Sequence, residues 1–396
     1  MTMPTLSPQL TEYSTALKEW GSSVAWGYAR QTDTEHALPK DTNKILETAP
    51  VPLGRDEVAG DDFPDFPDGP GARAAVWFEA CAYSDMWVSE ALNRGVGHFV
   101  VNAIGTPEQK ARWWDPIIAT GGKTGFGLSE PGIGSDTRRL ATTAVRDGDS
   151  WVINGSKMFC SLGALADYIV VFARTAGDTT SSGIKAFVVE RDHPGFTVVK
   201  ANEDKLGLRC WTTSQLAFDD VVVPQEHLLG WHGPDTDTGT IGGLNAGLAG
   251  LNDNRPNVSN QSIGVASAAL DVTTSLLRER RTGFTPHKWS TISDELERMT
   301  WTLDRGRQLN IAAQWLKDNG IKNRTQVSVA KAFGPVNADR IIRRCMQLLG
   351  PGGTSTELLL EKWYRDVKIL DIFEGTGQIM RVLVSRSLMG RSAAAS

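Results

Sequence analysis

One carboxylate and one glycine-rich loop hold most of the chemistry in this chain. The carboxylate is Glu374, in Asp371-Ile372-Phe373-Glu374-Gly375-Thr376-Gly377-Gln378-Ile379-Met380-Arg381. It follows two apolar residues, and apolar surroundings disfavour a carboxylate's charged form and raise its proton affinity. That tuning suits a base that takes a proton from carbon. Gly375 and Gly377 let backbone pass close to another molecule. Thr376 can cap a helix that continues through Ile379, Val382 and Leu383. The same residues also describe a surface acid at a helix N-terminus, stabilised by the helix dipole.

The loop is Gly127-Leu128-Ser129-Glu130-Pro131-Gly132-Ile133-Gly134-Ser135-Asp136. Its small residues let backbone N–H groups approach a phosphate or a flat ring, and its hydroxyls can donate to phosphate oxygens. It lacks the GxGxxG spacing and no helix is expected after it, which excludes a Rossmann turn. A plain Pro-Gly turn is the other reading.

Three kinds of element must position these residues. Residues up to about 120 read as helical, with an amphipathic helix over Ser7 to Trp20 and helical spacing from Ala72 to Val101. Between them, Thr32 to Pro70 is polar and proline-rich and is expected to be a long loop. Thr106-Pro107-Glu108-Gln109 is a helix start, with Thr as cap and Pro in the first turn. From Thr124 to about Val223, short β-rich runs alternate with Gly, Asp, Asn and Pro, which predicts an antiparallel β domain. Trp231–Gly243 reads as a loop. Helices are then expected over Asn260–Arg281, Ser290–Lys317, Asn323–Leu349, Glu357–Leu370 and Gly377–Met389, enough for a bundle. Ser392–Ser396 reads as a frayed tail. The predicted fold is α+β and multidomain: a helical domain over 1–122, a β domain over 123–231 and a helical bundle over 232–396.

Composition narrows the function classes. The 396 residues carry a formal net charge of -5, without the basic stripe of a nucleic-acid binder. No apolar run approaches a membrane span, and the N-terminus has no signal-peptide layout. The cysteines, Cys81, Cys160, Cys210 and Cys345, form no metal or disulfide pattern and read as buried packing. A reducing cytoplasm is the expected compartment. No metal site is expected.

Four spaced motifs resemble the acyl-CoA dehydrogenase family, in that family's order. They are Leu128 to Asp136, Trp151 to Phe159 (WVINGSKMF), Asp204-Lys205-Leu206-Gly207-Leu208-Arg209, and Tyr364-Arg365-Asp366 followed by Phe373-Glu374-Gly375-Thr376. The resemblance reaches from about Ala82 to Arg391. It implies FAD as cofactor, held between the β domain and the bundle, and tetramers in which a neighbouring subunit completes each FAD site. It further implies an acyl-CoA or acyl-carrier-protein thioester as substrate, and an electron-transferring flavoprotein as acceptor.

Residue by residue, the resemblance places Phe126, Leu128 and Ser129 along the flavin, and Gly134 and Ser135 at the FAD pyrophosphate. Phe159 and Ser161 flank the isoalloxazine, where the family usually has Trp and Thr. Thr376 and Gln378 are late FAD contacts, and Arg280, Thr282, Gln347 and Gly350 are contacts lent to a neighbouring subunit. Arg255 lies near substrate, as do Ser135 and Gly375. Glu374 matches the catalytic base of straight-chain members. Some branched-chain members place the base at the position of Asn254, whose amide cannot act as one; Asp253 beside it keeps an alternative open.

The sequence departs from the family at Gly283-Phe284, at Trp289-Ser290 and at Pro351, all in the half-site lent to a neighbour. Either these are drift with FAD still bound, or a different partner chain is needed. The implied reaction is α,β-dehydrogenation of an acyl thioester. The competing readings are a flavin monooxygenase or oxidase of the same fold, and a subunit that completes a paralogue's site in a heteromer.

Overall fold

Strands form where β-branched and aromatic residues run between Gly, Asp and Pro breaks. The computed structural model describes residues 6–54, 58, 68–175, 180–233, 236 and 243–390. Its strands are β1 Thr124–Gly127, β2 Thr143–Asp147, β3 Ser150–Ser161, β4 Tyr168–Thr175, β5 Ile184–Glu190, β6 Phe196–Lys200 and β7 Thr213–Pro224. They make one sheet in the order β1-β4-β2-β3-β7-β6, with β5 beside β4.

Antiparallel pairing predominates, as expected. However, β4 pairs in parallel with both β1 and β2. Parallel neighbours need long crossovers, and strand spacing along a sequence does not show these.

Both faces of β4 are buried. Ile169, Val171 and Ala173 pack with Trp151, Phe187, Phe218 and Val223. Tyr168, Val170 and Phe172 pack instead with Val100, Val101, Trp113 and Ile117 from helices. Alternation of side chains along a strand sends these two sets to opposite faces.

The helices are α1 Pro8–Trp20, α2 Trp26–Glu35, α3 Thr42–Leu46, α4 Pro70–Ser84, α5 Met86–Ala91, α6 Gly97–Ile104, α7 Pro107–Gln109, α8 Asp115–Thr120, α9 Leu244–Glu279, α10 Pro286–Asp318, α11 Arg324–Leu349, α12 Leu360–Leu370 and α13 Gly377–Leu388. Thr106 and Gln109 form the expected capping box at the start of α7.

Several boundaries differ from expectation. Helices α2 and α3 occupy part of the stretch expected as loop. Within the stretch expected as loop, residues 55–57 and 59–67 lie outside the described residues, as do much of 231–243 and the tail 391–396. The helical stretch from Ala72 breaks at Asp85, whose φ of 132 no helix tolerates. Helix α9 begins before Asn260 and runs through Pro256. Proline removes one intrahelical hydrogen bond, and from sequence that reads as a helix boundary.

By internal contacts the chain divides into two compact units. One holds Met1–Leu92, Lys205–Cys210 and Asn254–Ser396; the other holds Asn93–Asp204 and Trp211–Asp253. In the first, Lys362 donates to Asp85 at 2.8 Å and to Asp366 at 2.7 Å, all three buried. Asp366 also accepts from the Leu208 backbone N–H at 2.7 Å. These bonds tie the short 205–210 segment to α12. A buried charge persists only with such partners.

Candidate active site

The glycine-rich loop lies in the unit that contains the sheet, and a buried carboxylate braces it. Glu130 accepts from the backbone N–H groups of Ala141 and Thr142 at 2.8 and 2.9 Å. It also accepts from Thr142 Oγ1 at 2.6 Å and from Lys157 Nζ at 2.8 Å. Burial alone would raise its pKa, but the Lys157 and Thr142 hydrogen bonds outweigh it and hold it below the ordinary value. Lys157 is itself lowered to about 8, by burial and against the pull of Glu130. The backbone turn is closed by reciprocal Glu130–Ile133 hydrogen bonds of 2.9 and 3.0 Å.

Within this braced loop, Gly132, Gly134 and Ser135 are exposed. A Cβ built at Gly132 or Gly134 would meet no atom of the chain. Folding therefore does not demand glycine there, and the absence of side chains leaves the backbone open to close approach by a ligand.

Phe159 adds a second ligand-like feature. Its ring is 58% exposed and its backbone is left-handed, with φ of 58. The residue sits where the β3–β7 register shifts, between Lys157 and Cys160. A bulge re-aims a side chain, and a bulky residue at positive φ is strained. Phe126, Leu128, Ser129 and Ser161 are half-buried. A flat apolar ring, two nearby hydroxyl-bearing segments and an open glycine turn fit a flavin dinucleotide.

Glu374 lies in the other unit, in the turn between α12 and α13. Thr376 caps α13, accepting from the Ile379 N–H at 3.2 Å. Gly375 has φ of 95, and Glu374 itself has φ of 60. Arg255, 7% exposed, donates through Nε to the Glu374 carbonyl at 2.9 Å. Lys331, fully buried, donates to the carbonyl of Leu370 at 2.6 Å. These two cations hold the strained turn at both ends.

The carboxylate itself has one hydrogen bond: Oε1 accepts from Asn254 Nδ2 at 2.9 Å. Oε2 is buried and meets no donor among the described residues. Burial raises the Glu374 pKa above the ordinary value, and Asn254, Arg255 and Lys331 offset this only in part. The arrangement is that of a carboxylate with elevated proton affinity and one uncommitted oxygen. A simple exposed acid at a helix N-terminus does not match it.

The other expected site residues of this unit are spread out. Gln378 is exposed at the start of α13. Arg280 and Thr282 are exposed beyond the end of α9, and Gln347 is exposed near the end of α11. Gly350 follows with φ of 64. Neither Arg280 nor Thr282 is brought to Glu374 by any described contact. Phe284 stacks with Trp289 at 6.2 Å, and Arg281 lies over the Trp289 ring at 5.5 Å. Asp253 is half-buried on α9.

Sequence reading missed the hydrogen-bonding role of Asn254, the contribution of Lys331 and the bracing pair Glu130–Lys157. Lys157 falls within a quoted motif, yet nothing in its spacing says that β3 delivers its ammonium to Glu130.

All four cysteines are buried and free. Among the described residues no group of His, Cys, Asp or Glu could hold a metal ion. No described helix is long and apolar enough to cross a membrane.

Comparison with known proteins shows the family. Residues 125–221 match the acyl-CoA dehydrogenase middle domain, and residues 242–389 match the acyl-CoA dehydrogenase C-terminal domain. The short-chain specific acyl-CoA dehydrogenase, mitochondrial, of Rattus norvegicus is 33% identical over 370 residues, covering 91% of this chain and 85% of that protein. Butyryl-CoA dehydrogenase from Megasphaera elsdenii superimposes with a TM-score of 0.84 at 27% identity, covering 98% of this chain and 100% of the other. A glutaryl-CoA dehydrogenase from Mycobacterium smegmatis, solved in complex with FADH2, gives 0.82 at 25% identity over 99% and 97% of the two chains. The chain belongs to the acyl-CoA dehydrogenase family of oxidoreductases.

Proposed function

We propose that this protein introduces a double bond between the α and β carbons of an acyl thioester, with Glu374 as the base. The observation that carries the reading is the state of that carboxylate: raised in pKa by burial and, among the described residues, bonded at Oε1 only with no donor at Oε2. A thioester carbonyl acidifies the adjacent C–H, but not to the level of a carboxylic acid. A base of raised proton affinity narrows that gap.

Glu374 takes the α proton, and the product is the 2-enoyl thioester. Charge developing on the thioester oxygen is met by preorganised donors, among them the backbone N–H of Glu374. Gly375, which has no side chain, leaves that backbone accessible. Bound FAD would supply the acceptor for the hydride that leaves the β carbon. Gly134 and Ser135 would hold its pyrophosphate, Phe126, Leu128, Ser129, Phe159 and Ser161 its ring system, and Thr376 and Gln378 would add contacts. Arg255 and Ser135 would orient substrate.

The exposed Arg280, Thr282, Gln347 and Gly350 would be lent to a neighbouring subunit, which makes an oligomer, a homotetramer, the expected assembly. Arg suits a diphosphate because its planar fork donates two bonds at once. A colourless protein that turns yellow only when co-expressed with a paralogue would point to a heteromer instead. The division at 122 and 231, the cytoplasmic setting and an electron-transferring flavoprotein as acceptor complete the reading.

The test is anaerobic mixing with a panel of acyl-CoAs of varied length and branching. Bleaching of the flavin by one class, with a 2-enoyl-CoA product, supports the reading and names the acyl group. Oxygen-dependent turnover yielding a hydroxylated product would replace it with a monooxygenase.

A further inference from the structure

Glu374 is the end of a chain of side-chain amides. Asn254 Nδ2 donates to Glu374 Oε1 at 2.9 Å. Asn257 Nδ2 donates to Asn254 Oδ1 at 3.0 Å, one helical turn along α9. Gln314 Nε2, from α10, donates to Asn257 Oδ1 at 3.3 Å. Asn257 and Gln314 are buried, at 2% and 4% exposure. Polar groups at that depth are kept only where they are bonded.

The chain has one direction. An ionised carboxylate only accepts, so Asn254 must present its NH2 group to it. Its carbonyl oxygen then faces Asn257, which must answer with NH2. The carbonyl of Asn257 in turn meets the NH2 of Gln314. Flipping any one amide would set acceptor against acceptor or donor against donor. The charge at one end thus fixes the orientation of every amide behind it.

We propose that the amides of Gln314, Asn257 and Asn254 make the two oxygens of Glu374 inequivalent, so that Oε1 remains a hydrogen-bond acceptor and Oε2 receives the substrate proton. The proposal rests on the reading of Glu374 as the base. In the step, the proton leaves the α carbon for Oε2, and the C–H electron pair stays on the substrate. Asn254, Asn257 and Gln314 are positioning residues. Because an amide does not titrate, the chain holds the carboxylate in place without neutralising it, as a lysine partner would.

The charged groups around Glu374 come from three elements. Arg255 lies on α9 and Lys331 on α11, and both lower the Glu374 pKa. Asp371, which ends α12, acts on Lys331, and Arg324 acts on Arg255. All of these stay in place when an amide is replaced.

The test follows side-chain amide resonances in 15N-labelled, flavin-loaded protein as a function of pH. The Asn254, Asn257 and Gln314 resonances should titrate with one common midpoint, with amplitude falling in that order, and Glu374→Gln should abolish the titration. Gln314→Met, which keeps the shape but not the amide, should move the acid limb of the bleaching rate to higher pH. On that limb the rate should fall about two- to tenfold, with KM and the alkaline plateau kept. Asn254→Leu removes the donor to Oε1 without adding a second base and should shift the limb further, with a loss of about tenfold or more at neutral pH. Asn257 and Gln314 resonances that stay silent while Glu374 titrates would overturn the chain, as would an unshifted limb in both variants. Failure of the functional reading looks different: Glu374→Gln would then bleach at the wild-type rate.

Discussion

Glu130 and Glu374 are the same residue type in buried surroundings, and they end in opposite states. Glu130 has four donors, one of them the Lys157 ammonium, and its pKa falls. Glu374 has one neutral donor and a bare second oxygen, and its pKa rises. Burial pushes both carboxyls toward the neutral form; at Glu130 the hydrogen bonds and the Lys157 charge outweigh it, and at Glu374 Asn254, Arg255 and Lys331 do not. A carboxylate saturated with donors serves as an anchor, here for the glycine-rich loop. A carboxylate left short of donors is available for proton transfer. Neither apolar neighbours nor a short motif separates the two roles; the balance of burial against partners does.

The comparison breaks most readily at Glu374. Glu374→Gln should keep flavin and still bind acyl-CoA, yet slow flavin bleaching by about a hundred- to ten-thousandfold, the usual loss on removing a positioned base. Stopped-flow absorbance measures this. Because the folded carboxyl has a raised pKa, it favours the fold most at low pH and opposes it as pH rises through that value. Glu374→Gln should therefore match wild type in Tm below that raised pKa and exceed it above.

Glu130→Gln should do the reverse. Its lowered pKa means that its contribution is present above the unfolded-state value and lost as pH falls through the folded one. At neutral pH the variant strands Lys157, and breaking a buried pair costs about 3–5 kcal/mol. Denaturant unfolding should show that loss, with the flavin-binding loop loosened. The acid limb of any residual bleaching should stay where it is in the wild type.

The loop itself sets a finer contrast. Gly134→Val should abolish flavin retention without unfolding the protein, since a Cβ at that position meets no atom of the chain. Ser135→Ala should only weaken retention, by about 1–3 kcal/mol for a lost hydrogen bond to phosphate. Flavin absorbance per chain after purification and dilution separates the two. Fully yellow Gly134→Val protein would move the pyrophosphate elsewhere.

Much of this was legible in the sequence. The strands β1 to β7 fall within the stretch predicted to be β, to one residue, and the Thr106 and Thr376 caps formed because side-chain oxygens meet helix N–H groups at fixed offsets. The parallel placement of β4 was not legible, because crossovers leave no local pattern. Helix α9 hid its first turns behind Pro256. The amide chain was also invisible: Asn257 and Gln314 lie on different helices, and each alone reads as an ordinary polar residue. The base was found by its motif, but its free Oε2 could be seen only after folding.

The claim that the balance of burial against partners sets the two carboxyls apart is tested most directly by titrating both in one sample. Protein labelled with 13C at the glutamate carboxyls, with Glu374→Gln and Glu130→Gln used to assign the two signals, gives each pKa by NMR. The account predicts Glu374 above and Glu130 below the ordinary glutamate value of about 4.3. Equal values, or the reverse order, would contradict it.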